Sequence, residues 1–197
     1  MLAKQIKETY HFYTEDEYLA MEEAAEIKHE YRQGNIIAMT GASINHNRIV
    51  INTATTLNIA LKGSSCEVFV NDLRLQIKRD KIYTYPDVMV VCSKPSFVKN
   101  RTDTINNPKA IIEILSKSTE TYDRSDKFHA YWSLDTFEEY VLIDQYRIHV
   151  EYFRRINDKE WGLRVFKKMT DILKLESIEV EIPLNDLYQN VVWEEKL

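Results

Sequence analysis

Two short apolar runs near the middle of the chain give its clearest structural pattern. Residues 88–91 and 111–115 are rich in β-branched side chains and bounded by turn residues, which predicts two buried strands. Each run is associated with a carboxylate, because Asp87 precedes the first and Glu113 lies within the second. A buried carboxylate costs several kcal/mol unless it is paired or binds a metal. Two of them on neighbouring core strands therefore indicate a cation between them.

Helix and strand signals alternate on the N-terminal side of these runs. Thr14, with Glu17 three residues later, forms a capping box that predicts the start of a helix. Residues 29–39 predict a hairpin that turns at residues 33–35. A second helix is predicted over about residues 46–61, since its apolar positions keep the helical period. These positions are Ile49, Thr53, Leu57, Ala60 and Leu61.

Strands dominate the rest of the prediction. Residues 73–77 alternate apolar and polar side chains, so a strand with one buried face is expected. Residues 93–108 are polar and predict a loop, whereas residues 121–133 predict a helix after the second apolar run. The remaining predicted strands cover residues 67–70, 139–144, 148–156, 161–168 and 178–183, and the third and fourth of these form a hairpin.

Length and charge narrow the class of protein. For 197 residues, a single domain is the simplest organisation. A hydrophobic content of 44% and a charged content of 29% are typical of a globular protein in water. The formal net charge of -5 argues against a protein that coats nucleic acid by bulk charge. A local basic groove stays compatible with it.

The location of the protein is predicted from what the sequence lacks. No apolar run approaches the roughly 18 residues that a membrane span needs. Residues 1–5 lack the apolar centre of a signal peptide. Cys66 and Cys92 are too few for a disulfide framework, so free buried thiols in a reducing compartment are expected. These features together predict a cytoplasmic protein.

Hydrolysis of a phosphodiester would use the two acidic strands. This reaction requires a hard cation held by oxygen ligands, a positioned water and a positive charge near the transferring phosphorus. Asp87 and Glu113 would supply metal ligands, and the backbone carbonyl of Ile114 another. Lys127 lies fourteen residues after Glu113 on the following helix. From there its ammonium would hold the attacking water or the scissile phosphate.

The order of these residues resembles that of a known family. Pro86-Asp87 at a strand start is followed by EILSKST at residues 113–119 and by DRSDKFHAY at residues 123–131. This order is similar to the Uma2 family, formerly a domain of unknown function, within the PD-(D/E)xK nuclease superfamily. The likeness covers roughly residues 12–185. It extends to YTEDEYL at 13–19, HEYRQG at 29–34, SINHNRI at 43–49, NDLRL at 71–75 and EYVLID at 139–144.

The resemblance implies a fold and an activity. The fold is α/β: a single domain with a restriction-endonuclease-like core, in which helices flank a mixed sheet, and with extra C-terminal strands. The activity is that of an endonuclease that depends on Mg²⁺, for which Mn²⁺ can substitute. Its partner is nucleic acid, with DNA as the expected substrate.

The resemblance also assigns roles to single residues. Asp87, Glu113 and Lys127 form the catalytic set, and Asp72 joins Asp87, Glu113 and the carbonyl of Ile114 as a metal ligand. Three further residues are expected to contact the substrate or to support the ligands. They are Glu30, His46 and Tyr131, with His46 placed at the mouth of the cleft by the buried stripe of its helix.

A homodimer is expected on two grounds. Homodimers are common among proteins similar to this family, and symmetric pairing is the commonest form of assembly. The C-terminal part of the chain is also more apolar than a small monomer requires outside its core. The residues concerned are Tyr152, Phe153, Trp161, Val165, Phe166, Val191, Val192 and Trp193.

The sequence departs from the family pattern at two places. The superfamily lysine usually lies two residues after the glutamate, where this chain has Leu115. Lys127 on the helix is interpreted as its replacement. The Ser-Pro-Ser-Thr segment that is frequent in the family is SKST at residues 116–119 here, a loop change that leaves the ligands untouched.

Two other classes of function stay open at this point. The first is a metal-free binding module of the same fold that grips nucleic acid or a protein, which a direct pair between Lys127 and Glu113 would favour. The second is a structural partner protein, which an apolar edge in the hairpin of residues 148–168 would favour.

Overall fold

The computed structural model describes residues 11–98 and 100–193, which form an α/β fold with two large β-sheets and a third sheet of two strands. The helices are α1 (Glu15–Ala24), α2 (Ile44–Ala60), α3 (Glu120–Arg124), α4 (Asp126–Tyr131) and α5 (Leu184–Leu187). The first strands are β1 (His29–Arg32), β2 (Asn35–Ala38), β3 (Cys66–Val70), β4 (Arg74–Ile77), β5 (Ile82–Thr84), β6 (Val88–Cys92) and β7 (Thr104–Ile105). The remaining strands are β8 (Ala110–Leu115), β9 (Glu139–Asp144), β10 (Val150–Asn157), β11 (Glu160–Phe166), β12 (Ile172–Leu175) and β13 (Val180–Pro183). The predicted class, a mixed sheet with flanking helices and extra C-terminal strands, is confirmed.

The larger sheet contains both of the apolar runs. Its strand order is β11-β10-β9-β8-β6-β3. Strands β8 and β9 are parallel, whereas β6 and β8 are antiparallel, so the sheet is mixed. The register between β6 and β8 pairs Val88 with Ile112. One step further along this register, Asp87 lies opposite Glu113, and directly opposed residues of antiparallel strands share a face of the sheet.

Two hydrophobic clusters cover the two faces of the larger sheet. On one face, α2, α5 and the β12–β13 hairpin pack against side chains that include Val88, Ile112 and Ile114. On the other face, β4, β5 and α4 pack against Met89 and Ile111. Every residue of β8 is buried as a result. The strand that carries Glu113 therefore lies in the centre of the molecule.

The smaller sheet has the order β2-β1-β5-β4-β7. The predicted hairpin turn is confirmed, and Gln33 and Gly34 both have positive φ there (50° and 95°). The expectation that β4 buries one face is wrong, since all four of its residues are buried. Helix α1 covers the second face, where the Arg74 guanidinium lies 5.6 Å from the centre of the Tyr18 ring.

Several short strands escape the sequence prediction. Strand β5 has three residues and β7 has two, which is too few for a period to be recognised. Strand β5 lies between β4 and β6 in the chain, directly after the predicted turn. It pairs with both β1 and β4 and so joins the two halves of the smaller sheet. Strand β12 was not predicted either. It pairs with β13, which is the predicted C-terminal strand.

The helix predicted over residues 121–133 is two helices. Helix α3 ends at Arg124 and α4 begins at Asp126, because Ser125 has non-helical dihedral angles (φ −123°, ψ −97°). The serine hydroxyl donates a hydrogen bond of 2.6 Å to the carbonyl of Thr121. Such a bond offers the backbone an alternative to continuous helix. Lys127 therefore lies on the second helix, in its first turn.

The prediction of free, buried thiols is wrong. Cys66 and Cys92 are directly opposed on β3 and β6 and form a disulfide, and both are only partly buried. The residues were too far apart in sequence for their pairing to be foreseen without the strand register. In the described ranges, no helix is long and apolar enough to cross a membrane. The prediction that the chain has no signal peptide depends on residues 1–5, which lie outside the described residues.

Most of the C-terminal apolar residues belong to the core of one chain. Tyr152 is buried, and Phe153 and Trp161 pack against the cluster around Phe128. Phe166, Val191 and Trp193 pack against the cluster on the opposite face of the larger sheet. Of the residues predicted to be in excess, only Val165 and Val192 are well exposed. Packing within a single chain therefore accounts for most of the apolar residues that had suggested a dimer interface.

Candidate active site

Asp87 and Glu113 form the centre of the site. Asp87 Oδ2 accepts a hydrogen bond of 2.8 Å from the backbone amide of Ile114. In return, the amide of Asp87 donates a long hydrogen bond of 3.4 Å to Glu113 Oε2. Each carboxylate is thus tied to the strand that carries the other. The two acids converge at the end of β6, as the apolar runs predicted.

Lys127 enters this site from α4. Its Nζ lies 2.8 Å from Glu113 Oε1, 3.5 Å from an oxygen of Asp123 and 3.6 Å from one of Glu30. The side chain is buried, and its neighbours Phe128 and Tyr131 anchor the helix in the core. The ammonium therefore points at the strand ends and away from solvent. This is the placement that the sequence predicted.

Glu30 reaches the site from the smaller sheet. It lies on β1 and is buried, and it accepts hydrogen bonds from Thr84 on β5 and from Arg32. The Nε of Arg32 is 3.0 Å from Glu30 Oε2. The contact between Glu30 and Lys127 thus connects the two sheets through the site. Thr84 and Arg32 were absent from the predicted set.

Tyr131 and His46 complete the surroundings of the two carboxylates. The Tyr131 hydroxyl, fully buried one turn after Lys127, donates a hydrogen bond of 2.8 Å to Glu113 Oε1. His46 lies in the first turn of α2, whose N-cap is Ser43. Its Nε2 is 3.2 Å from Asp87 Oδ2. Both residues contact a carboxylate directly, as expected for side chains that orient it.

Asp72 stands apart from the other acids. It follows β3 in the turn before β4, and its side chain is 88% exposed. One of its oxygens pairs with Lys28 Nζ at 2.7 Å. Within residues 11–98 and 100–193, no group of three or more histidine, cysteine, aspartate or glutamate side chains is arranged to hold a metal. The predicted convergence of Asp72 with Asp87 and Glu113 is therefore not seen, because the turn directs Asp72 to the surface.

A cleft of about 1000 Å³ opens onto these residues. Its lining includes Tyr122, residues of the loop after β8, the exposed Asp72 and most of the charged side chains of the site, whereas Tyr131 and Thr84 are buried behind these. The charged side chains are Glu30, Arg32, Asp87, Glu113, Asp123 and Lys127, with His46 beside them. The backbone of Ile114 also lines the cleft, but the structure shows no role for its carbonyl. Asp123 lies on α3, four residues before Lys127 and across the break at Ser125. It was missed as a site residue, although a spacing of four residues is typical of an ion pair.

The charges of the cluster do not balance. Four carboxylates (Glu30, Asp87, Glu113 and Asp123) face two cations (Lys127 and Arg32), which leaves an excess of two negative charges. Burial and the neighbouring carboxylates Asp87 and Asp123 raise the pKa of Glu113 to about 8, although Lys127 opposes this shift. Glu113 therefore carries a proton for much of the neutral pH range when no further cation is present.

The pKa values of Lys127 and Glu30 shift in the directions that favour the charged forms of these side chains. Burial alone would lower the pKa of Lys127, but the three carboxylates around it raise that pKa well above its ordinary value. Burial would likewise raise the pKa of Glu30, but Lys127 and Arg32 lower it below its ordinary value. Lys127 and Glu30 are thus ionised at neutral pH.

A pH dependence of folding stability follows from the raised pKa of Glu113. The unfolded carboxyl has a pKa near 4.5, so between pH 4.5 and about 8 the folded chain binds a proton that the unfolded chain releases. The free energy of unfolding should therefore fall as pH rises through this window, by up to about 1.4 kcal/mol per pH unit. Urea denaturation in EDTA at several pH values measures this slope. Glu113→Gln should flatten it, and an equal slope in both proteins would contradict the shift.

Comparison with known proteins identifies relatives of this arrangement. Residues 15–185 match the model of the Uma2 family, which is described as "Putative restriction endonuclease". The chain is 41% identical over 150 residues to the protein sll1609 of Synechocystis, which covers 76% of this chain and 85% of that one. It is 33% identical over 178 residues to slr1290 of the same organism, which covers 90% of this chain and 92% of that one. Both relatives are described as uncharacterized.

The fold also matches a solved structure. A crystal structure from Anabaena variabilis, described as "a putative nuclease belonging to DUF820", superposes with a TM-score of 0.74. The match covers 90% of this chain and 98% of that one at 21% identity. At this level of identity the likeness concerns the fold.

Proposed function

Since the chain belongs to the Uma2 family, we propose that it is a metal-dependent endonuclease that hydrolyses phosphodiester bonds of nucleic acid, with DNA as the substrate. The observation that supports this best is the convergence of Asp87, Glu113 and Lys127 in one cleft. Two acids on adjacent strands with a lysine beside them supply oxygen ligands and a positive charge, the groups that phosphodiester hydrolysis uses. We further propose that the protein acts in the cytoplasm, where the Cys66–Cys92 disulfide would be an exception to the usual reduced state of thiols.

The residues present fit a divalent cation at the two acids. With all four carboxylates ionised, the excess of two negative charges in the cluster equals the charge of one such ion, whose binding would release the proton from Glu113. Both contacts of Asp87 described above use Oδ2, and its Oδ1 has no hydrogen-bond partner in the described part of the chain. Asp87 and Glu113 would hold Mg²⁺ or Mn²⁺, which prefer carboxylate oxygens. When bound, the ion supplies Lewis acidity and lowers the pKa of a coordinated water.

The residues of the chain perform the other parts of the reaction in this proposal. Lys127 places its ammonium beside Glu113, where it stabilises the negative charge that develops on the phosphate. Tyr131 fixes one oxygen of Glu113, so the other oxygen, Oε2, faces Asp87. The Nε2 of His46 approaches the same Asp87 oxygen that Ile114 binds and would help to orient that carboxylate. Preorganisation of this kind lowers the cost of reaching the transition state.

A plasmid assay tests the proposed activity. Purified protein is incubated with supercoiled DNA in Mg²⁺ or Mn²⁺, with EDTA as the blank and a structured RNA as the competing substrate. Nicked or linear DNA that forms only with the metal ion supports the proposal. Cleavage of the RNA alone would show that RNA, and not DNA, is the substrate. Equal cleavage in EDTA would contradict the dependence on a metal ion.

One observation favours a second candidate function. The ion pair of 2.8 Å between Lys127 and Glu113 is the feature expected of a metal-free binding module. Such a module would bind DNA without cutting it, and its affinity would not depend on divalent cations. Calorimetric titration with Mg²⁺ and Mn²⁺ separates the two candidates, since the endonuclease should release or absorb heat with the ions alone.

We also propose that the protein is a homodimer. The outer edge of β11 is unpaired within the described residues, and Leu163 and Val165 are exposed on it. Ile156 and Ile172 are exposed as well. Pairing of two equivalent edges would cover unsatisfied backbone groups. Light scattering is expected to give twice the chain mass of 23.3 kDa at micromolar concentration, and the mass of a single chain would contradict the dimer.

A further inference from the structure

Arg32 is a cation of the cleft that the proposed reaction does not yet use. It ends β1, next to the β1–β2 turn, and its guanidinium binds one oxygen of Glu30 through Nε and Nη2. Its Nη1 has no hydrogen-bond partner among the described residues, and the side chain is 25% exposed. Glu30 has further partners in Thr84 and Lys127, so Arg32 is not its sole counter-charge.

Tyr122 holds the guanidinium from the other side. The central carbon of the Arg32 guanidinium lies 3.4 Å from the centre of the Tyr122 ring. Tyr122 belongs to α3, one residue before Asp123, and its hydroxyl is buried. Stacking on the ring and the two bonds to Glu30 fix the plane of the guanidinium. Arg32 is therefore preorganised, with one edge of its donor fork available to the cleft.

We propose that Arg32 is a substrate-positioning residue that binds a backbone phosphate adjacent to the bond that is cut. The planar guanidinium matches the geometry of phosphate oxygens, and a fixed fork loses little side-chain entropy on binding. Glu30 links Arg32 to Lys127, so a phosphate held by Arg32 lies beside the group that acts at the scissile bond. This inference rests on the proposed endonuclease function and adds to it a residue that binds the phosphate backbone of the nucleic acid.

The salt dependence of DNA binding tests this role. Affinity for a DNA duplex is measured by fluorescence anisotropy over a series of NaCl concentrations, in the Glu113→Gln background and with Mg²⁺ present. Arg32→Gln should reduce the slope of log affinity against log salt by about one, the effect of losing one phosphate contact. Arg32→Lys keeps the charge and should keep the slope. Arg32→Met, which removes the charge but keeps an apolar stem, should lower the slope as Arg32→Gln does and is the second variant if Arg32→Gln does not fold.

Arg124 provides a matched control. It is 26% exposed and is also bound by carboxylates, those of Glu120 and Glu151, but it does not line the cleft. Arg124→Gln should leave the salt slope unchanged. If Arg32→Gln and Arg124→Gln give the same slope as their parent while DNA is still bound, the role of Arg32 is refuted and the endonuclease proposal stands. A wild-type protein that neither binds nor cuts DNA refutes the endonuclease proposal, and this inference with it.

Discussion

The Lys127→Ala variant should lose at least about a hundredfold of the cleavage rate, the scale of removing one electrostatic stabiliser from an active site. It should also be less stable by about 3 kcal/mol, since removal of one partner from a buried ion pair leaves the other charge uncompensated. The carboxylates that would lose this cation are Glu30, Glu113 and Asp123, which surround the ammonium. Cleavage is measured at a temperature at which circular dichroism shows the variant to be folded.

Two further variants separate catalysis from stability. Lys127→Arg keeps the charge, but a planar guanidinium does not replace a compact ammonium in a buried site, so little activity should return. The double variant Lys127→Met/Glu113→Gln removes both charges and should regain most of the stability while remaining inactive. Cleavage by Lys127→Ala at the wild-type rate would show that the lysine serves the fold alone.

The Asp87→Asn variant should lose both the binding of divalent cations and the cleavage of DNA. The amide keeps the shape of the side chain but removes the charge that an ion of this kind requires. Calorimetric titration with Mn²⁺ should therefore show no binding in the variant at concentrations that saturate the wild type. Cleavage of plasmid DNA should fall by at least about a hundredfold, the scale of losing one electrostatic stabiliser.

Asp72→Asn is the control for the metal titration. Asp72 was expected to be a ligand, but the structure places it at the surface, paired with Lys28. Its amide variant should keep most of the Mn²⁺ affinity. The account of the metal site would be contradicted if Asp72→Asn lost the ion and Asp87→Asn kept it.

The parts of the site that lie on periodic elements could be predicted from the sequence. Asp87 precedes one apolar run and Glu113 lies within the other. Because burying a charge is costly, their positions predict that the two acids bind a cation together. The prediction that Lys127 lies near them rests on its position after β8 together with the resemblance to the Uma2 family. The structure brings these three residues together as expected.

Other parts depend on contacts that no local pattern encodes. Thr84 reaches Glu30 because β5 pairs with β1, and β5 is too short to show a period. The exposure of Asp72 is decided by the direction of a single turn. The pairing of Cys66 with Cys92 follows from the register of two strands that are distant in sequence. Long-range strand pairing decides the first and the last of these features, and the geometry of one turn decides the exposure of Asp72.

The most direct measurement compares wild-type protein and Glu113→Gln on supercoiled plasmid DNA in Mn²⁺. Both proteins are purified in parallel, and their folding is checked by circular dichroism. Glu113 contacts Lys127 and Tyr131 and lies opposite Asp87, so every part of the proposed site depends on it. The wild type should nick and linearise the plasmid, and the variant should leave it supercoiled. Equal cleavage by both proteins, or none by either, would contradict the proposed endonuclease.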